Sequence, residues 1–245
     1  MKLQDPTQRS LSGETLRTKL TASEHPEPST LLESSWRDYV FAEVWNRPNL
    51  DLRSRYLIAI SGATCEGGRS EILDPLVRGA ISNNELSLAE LREAALHLAV
   101  YAGWSQGTIL DNSITRIEKE LGLEPVKIDP IRNEPWDPEQ RIKDGTQGFT
   151  DVMIFPAPPP VTPYFEGGIL NFVFGEMWTR PGLDQRARRW VTLVGVATSS
   201  ARTPIRTHTY AAMASGNASI EEMQEFVLQY AIYSGWPKGS VMQAA

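Results

Sequence analysis

The chain has 245 residues, 24 Lys/Arg against 30 Asp/Glu, a net charge of −6 and a pI near 5.2. An acidic chain without a dense Lys/Arg block lacks the positive surface that nucleic acid requires, and no apolar run approaches the roughly 18 residues of a membrane span. A single cysteine, Cys65, excludes an internal disulfide, a CxxC redox pair and a multi-thiolate metal site, and His25, His97 and His208 show no metal-ligand spacing.

The first 30 residues are polar, contain Pro and Ser, and include no apolar stretch of signal-peptide type. They read as an arm, flexible or wrapped over a neighbouring subunit, on a cytoplasmic protein. From 31 to 121 the pattern turns helical. Phe41–Trp45 closes a short apolar helix that Arg47-Pro48 stops, because a residue before proline is pushed out of the α region. Asp51 is placed to N-cap the next helix, which carries Leu57, Ile58 and Ile60. Ser87 and Glu90 form an S-x-x-E capping box ahead of Leu88, Leu91, Ala95 and Leu98, and Gly103 marks the end of that helix. An amphipathic helix then runs to about Gly122. Residues 122–163 are rich in Pro and charge, and FPAPPP excludes helix there and favours an extended arm, with Trp136, Phe149, Ile154 and Phe155 as apolar anchors.

The pattern then begins again. FAEVWNRPNLDLRSRYLIAISGAT (41–64) aligns without gaps to FGEMWTRPGLDQRARRWVTLVGVA (174–197), with 10 of 24 positions identical. After a one-residue gap, SLAELREAALHLAVYAGWSQG (87–107) aligns to SIEEMQEFVLQYAIYSGWPKG (219–239), with 9 of 21 identical. The order and spacing of both blocks are preserved, so the chain is a tandem duplication of one all-α module, with repeats at 31–121 and 164–245. Asp184, the Ser219/Glu222 capping box and Gly235 repeat the helix boundaries, and the last helix is shorter because the chain ends at Ala245.

FGEMWTRPGLDQRARR, HTYAAMASG and VLQYAIYSGWPKG, in that order, resemble the carboxymuconolactone decarboxylase family, and AEVWNRPNLDLRSR with LHLAVYAGW repeats the first and third motifs in copy one. LRTKLTASEH…SSWRDYVFAEVW is similar to the arm that precedes the family's core. The resemblance implies an all-α fold of the alkylhydroperoxidase D-like type with extended N-terminal and inter-repeat arms, and assembly as trimers or hexamers. Three fused chains would make a pseudo-hexamer, so a homotrimer is expected. It also implies a decarboxylase that uses no metal or organic cofactor and acts on a small carboxylated lactone or keto acid. An isomerase, cyclase or lactone-opening enzyme, or a non-catalytic scaffold, would preserve the same motifs. The peroxidase branch needs CxxC ahead of the histidine. Those positions hold Ala201 and Pro204 in copy two and Gly68 and Glu71 in copy one, so that mechanism is excluded.

Decarboxylation of a small acid needs fixed cations for a carboxylate and a positioned acid or base. His208 alone occupies the family's histidine position. Thr203-Pro204 reads as an N-cap with Pro at N1, which sets His208 little more than one turn into a helix whose dipole depresses its pKa. Copy one has Pro75 there but carries Glu71 four residues earlier, and His97 faces Gln229 on the later helix. Glu71, His97 and His208 are therefore expected to combine in one site between the copies, the other being dead. Arg53, Arg55, Arg186 and Arg188 are candidates to bind the substrate carboxylate, or else pair with Asp51, Asp184, Glu43 and Glu176. Glu176 acts in the site or ties down arginine, and Trp190, which faces Leu57, walls a pocket or packs the core.

Overall fold

The computed structural model describes residues 5–127, 129–132 and 134–245, and among these there are twelve helices and no strand. Helix α1 (Pro6–Thr21) is followed by α2, which starts at Leu31–Ser35 and widens into a π-helical stretch at Trp36–Val44. Then come α3 (Leu52–Cys65), α4 (Ser70–Ser82), α5 (Leu88–Ala102) and α6 (Trp104–Glu120). The second set is α7 (Pro138–Met153), the π-helical α8 (Tyr164–Met177), α9 (Gln185–Ser199), α10 (Arg202–Ala214), α11 (Ile220–Ser234) and α12 (Trp236–Gln243).

The helix boundaries follow from local chemistry. Asp51 accepts from the Ser54 N–H and Asp184 from the Ala187 N–H, and both S-x-x-E boxes close reciprocally. Gly103 and Gly235 have φ of 95° and 91°, a backbone that only glycine adopts without strain, so the α5–α6 and α11–α12 corners are glycine in both repeats. One boundary differs from the sequence reading. Helix α10 begins at Arg202 with Ala201 as N-cap, so Pro204 lies inside the first turn, where its missing N–H would have no partner anyway. His208 is therefore the seventh residue of the helix, deeper than expected.

The arms also differ. The proline run at 156–160 is free of helix, but the residues before it form α7, and the N-terminal arm forms α1. The two helices correspond: DPTQRSLSGETLRTKLTA (5–22) and DPEQRIKDGTQGFTDVMI (137–154) share 6 of 18 positions. Asp5 and Asp137 each N-cap through their carboxylates, Arg9 pairs with Glu43 and Arg141 with Glu176, and Ala22 and Ile154 both end their helix in the left-handed region. The duplicated unit thus includes the arm, which packs on its own repeat: α1 on α2 and α4, α7 on α8 and α10.

The two repeats are interlocked. Helices α3 and α9 pack together at the centre, while α5 of the first repeat lies on α9 of the second and α11 of the second lies on α3 of the first. One core runs through both, including Leu57, Ile58, Trp190, Val191, Phe226 and Tyr230, and a smaller one under α7 holds Phe149, Val152, Leu170, Phe174 and Trp178.

Gly13 on α1 faces the Arg37 carbonyl and Gly145 on α7 faces the Leu170 carbonyl, so closely that a Cβ at either would overlap the backbone of α2 or α8. Alanine in place of glycine within a helix normally stabilises by roughly 0.5–1 kcal/mol. Here the sign should reverse: Gly13→Ala and Gly145→Ala are each expected to cost about 1–3 kcal/mol in denaturant unfolding, as overpacking does.

Candidate functional site

The exchange of α5 and α11 creates two pseudo-equivalent places where side chains of both repeats meet. In each, a tryptophan of one repeat donates its indole N–H to a tyrosine of the other: Trp178 to Tyr101 at 2.7 Å and Trp45 to Tyr233 at 3.0 Å. Beside each lies a buried arginine on a carboxylate of the opposite repeat. Arg188 reaches Glu93 at 3.4 Å and the Arg180 carbonyl at 2.8 Å, and Arg55 reaches Glu225 at 3.0 Å and the Arg47 carbonyl at 2.9 Å. Burial pushes the Glu93 carboxyl up, but hydrogen bonds and charge from Arg180, then Arg188, hold it below its ordinary value.

The equivalence ends where the chemistry begins. In the second site His97 from α5 contacts Tyr101 and Trp178, with ring centroids 5.3 and 4.9 Å apart, and Tyr101 in turn contacts His208 at 5.3 Å. Arg188 only donates, so His97 Nδ1, at 3.4 Å from it, accepts; Nε2 then carries the hydrogen and donates to Thr192 Oγ1 at 2.9 Å. In the first site the corresponding residues are Gln229, Tyr233, Pro75 and Ala59, which leave no titrating ring at either histidine position.

The residue after Arg188 marks the sharpest difference. Arg189 is fully buried and stacks over the Trp178 ring at 4.9 Å. Its Nη2 donates to the Val152 carbonyl of α7 and its Nε to Asn217 Oδ1, while Nη1 has no partner. No carboxylate among the described residues pairs with it, and burial lowers its pKa to about 10, so it remains a cation at neutral pH. Tyr56 holds the same position in the first repeat, where its hydroxyl donates to the Leu20 carbonyl of α1. A neutral donor in one copy has become an uncompensated buried charge in the other. Such a charge is costly unless an anion joins it.

His208 shares this environment. Its ring is buried, its Nδ1 is without a partner, and burial followed by the Arg189 charge pushes its pKa down to about 3. The direction matches the sequence reading but the cause does not, since His208 lies beyond the first turn of α10. His97 is also held well below the ordinary imidazole range, by burial first and then Arg188. Both rings are neutral at pH 7. Burial raises the Tyr101 phenol, so it is a neutral donor as well.

The other expected site residues lie elsewhere. Glu71 does not join the histidines: it is exposed at the start of α4, bonded to Arg69 at 2.8 Å, and lines a separate cavity beside Pro75. Helix α4 packs on α1, α3 and α6 of the first repeat and α10 on α7 and α9 of the second, so positions 71 and 208 lie in opposite pseudo-sites, which linear spacing does not reveal. Arg53 pairs with Glu90 and Asp184, and Arg186 with Glu222 and Asp51, across the centre of the molecule. Arg55 is held by Glu225 and Gln229. Glu176 is buried between Arg132 and Arg141, and Trp190 is stacked on Phe226 in the core with Arg186 over its other side. An open groove of about 1040 Å³ passes Glu93, Glu176 and Arg180 and is rimmed by linker residues such as Arg132. Its charges are paired with one another, and His208 does not face it. Burial raises the Cys65 thiol to about 11, which keeps it protonated. Among the described residues no three His, Cys, Asp or Glu side chains gather as a metal site, and no helix is long and apolar enough to cross a membrane.

Arg189, Tyr101, Thr192 and Trp178 were not singled out from the sequence as site residues. A signal existed, because Arg189 against Tyr56 and Thr192 against Ala59 are columns of the self-alignment in which one copy gained polarity.

The sequence model of the carboxymuconolactone decarboxylase family matches residues 31–108 and 163–245, once in each repeat. Over 90 residues, 37% of this chain and 66% of the relative, the sequence is 31% identical to a 4-carboxymuconolactone decarboxylase of Acinetobacter baylyi. Over 79 residues, 31% of this chain and 54% of the relative, it is 34% identical to a nitrosuccinic acid decarboxylase of Metarhizium robertsii. The matches thus span between about half and two thirds of the curated relatives' length.

The depressed His208 pKa makes stability depend on pH. Protonation favours the unfolded chain, so the stability tied to the neutral ring is complete above about 6.5 and is lost as pH falls toward 3. Thermal melts at pH 7, 5.5 and 4 should show a fall in wild-type Tm that is shallower in His208→Gln, with His97 accounting for part of the remaining slope. Equal slopes would contradict the burial of a neutral His208.

Proposed function

The chain belongs to the carboxymuconolactone decarboxylase family, and on that premise we propose that it is a carboxy-lyase acting on a small dicarboxylic acid at the Arg189–His208 site. The observation that carries this reading is the buried, unpaired Arg189 guanidinium beside a buried, unpartnered imidazole. A 4-carboxymuconolactone and a nitrosuccinic acid, the acids in the two relatives' names, each bear two carboxyl groups. One can be retained and anchored while the other departs. Arg189 Nη1 takes the retained carboxylate, its attraction strengthened by the dry surroundings.

The carbon–carbon bond to the departing carboxylate breaks heterolytically. Its electron pair stays on the substrate carbon, drawn into an adjacent nitro or conjugated carbonyl group, and CO2 leaves. Neutral His208 is no acid by itself. The negative charge of the bound substrate raises its pKa, so substrate binding brings a proton onto the ring, which then passes to the carbanion. Tyr101, whose oxygen accepts from Trp178, keeps its own hydrogen to donate to developing negative charge. His97 fixes Arg188 and Thr192 around the phenol and acts by positioning. Because Arg189 is fully covered and its Nη2 is bonded to the Val152 carbonyl, access requires α7 to move aside. Three chains joined through exposed aromatic positions such as Trp104 and Trp236 would complete a pseudo-hexamer.

CO2 release should be followed over a panel containing 4-carboxymuconolactone, nitrosuccinic acid and related dicarboxylic acids. His208→Ala is expected to lower kcat by about 10²–10⁴, the usual worth of a positioned acid–base group. Arg189→Met is expected to raise KM as well and, without substrate, to leave stability unchanged or higher because a buried charge is removed. Turnover that survives both substitutions would reject the site, and no turnover on any acid would reject the reaction.

A further inference from the structure

The first repeat contains a cavity of about 110 Å³ where Pro75 replaces the second repeat's histidine. Its walls are Trp36, Phe41 and Pro75, and its polar groups are Arg17, His25 and Glu71. The self-alignment shows an inversion. In the second repeat the deep positions are polar (Arg189, Thr192, His208) and the wall is apolar, with Phe149 and Pro204 opposite Arg17 and Glu71. In the first repeat the deep positions are Tyr56, Ala59 and Pro75, and the wall carries the charges.

Pro75 leaves the place of the histidine ring unfilled, and the first repeat has an open space there with a half-buried cation and a histidine at the same rim. Arg17 makes no ion pair among the described residues. The carboxylates nearest to it in charge are Glu14 and Glu33, and Glu33 is held by the Ser29 N–H and hydroxyl at 2.6 and 2.9 Å. Burial outweighs both acids and lowers the Arg17 pKa, so the guanidinium is under-compensated where it stands. Thr21 Oγ1 donates to the Arg17 carbonyl at 2.7 Å and accepts from His25 Nε2 at 2.7 Å, so the His25 Nδ1 is a lone pair and the anion donor at the rim is Arg17. Glu71, the remaining acid at the cavity, is turned to Arg69 at the exposed edge.

We propose that the first repeat holds a second small-molecule site, for a compact monocarboxylate whose acid group meets Arg17 and whose apolar body lies between Trp36, Phe41 and Pro75. A cavity of about 150 Å³ accommodates benzene, so this one suits a chain of about six non-hydrogen atoms. Pro75 stands where the second repeat has His208, so the site is assigned binding and no reaction. The site is independent of the reaction assigned to the second repeat.

Butyrate is the probe. In ¹H–¹⁵N spectra of the full chain, the Trp36 indole and the His25 and Thr21 amides should shift saturably as butyrate is added. Arg17→Met should weaken that binding at least about tenfold, as loss of a charge-assisted hydrogen bond does, with the fold retained by thermal melt. Leu76→Trp, which fills the cavity, should abolish the shifts, whereas Arg189→Met should leave them unchanged. Absence of saturable shifts at these residues, or equal affinity in Arg17→Met, would overturn the proposal. Loss of the shifts in Arg189→Met would assign butyrate to the other site and overturn it as well.

Discussion

The exchange of helices between repeats is the constraint on which the rest of the structure depends. With α5 on α9 and α11 on α3, neither repeat can complete its own buried polar pairs: Glu93 serves Arg180 and Arg188, and Glu225 serves Arg47 and Arg55. A buried arginine that loses its carboxylate costs several kcal/mol, so the halves are held together by polar pairing as well as by the shared core. The same exchange carries His97 and Tyr101 from the first repeat against Trp178, Thr192 and His208 of the second.

Duplication frees one copy to change, and the two pseudo-sites differ at equivalent deep positions. Two single replacements at equivalent positions, Tyr56 against Arg189 and Pro75 against His208, turn a neutral, hydrogen-bonded corner into one that contains a buried cation and a neutral imidazole. Neither feature stabilises the unliganded chain. Both are what a pocket needs if a carboxylate is to supply the missing charge, and they belong to the class of locally unfavourable arrangements that functional sites retain.

Periodicity, capping boxes and the internal repeat specified the helices closely, because Asp51, Ser87, Gly103 and their counterparts act through local backbone geometry that sequence spacing encodes. The arm helices read instead as extended arms: their shared D-P-x-Q-R opening and six identities in eighteen positions stand out only once Gly13 and Gly145 are seen lying against equivalent carbonyls. The site was half legible. Motif position singled out His208, and the structure places His97 within reach of the same tyrosine, Tyr101. The motif arginines read as candidate anchors are ion-paired, whereas Arg189, outside the R-x-R pattern, is the unpaired one. Which of several adjacent arginines lacks an acid is decided by helix packing over more than a hundred residues of separation, and spacing along the chain does not contain it.

The most direct test of the account is a crystal structure with a dicarboxylate that cannot lose CO2, such as succinate, bound to the full chain. A carboxylate within hydrogen-bond distance of Arg189 Nη1 and close to His208, with nothing equivalent beside Tyr56, is the result the account predicts. A ligand seated elsewhere, in the groove past Glu93 and Arg132 for example, with Arg189 still unpaired, would contradict it.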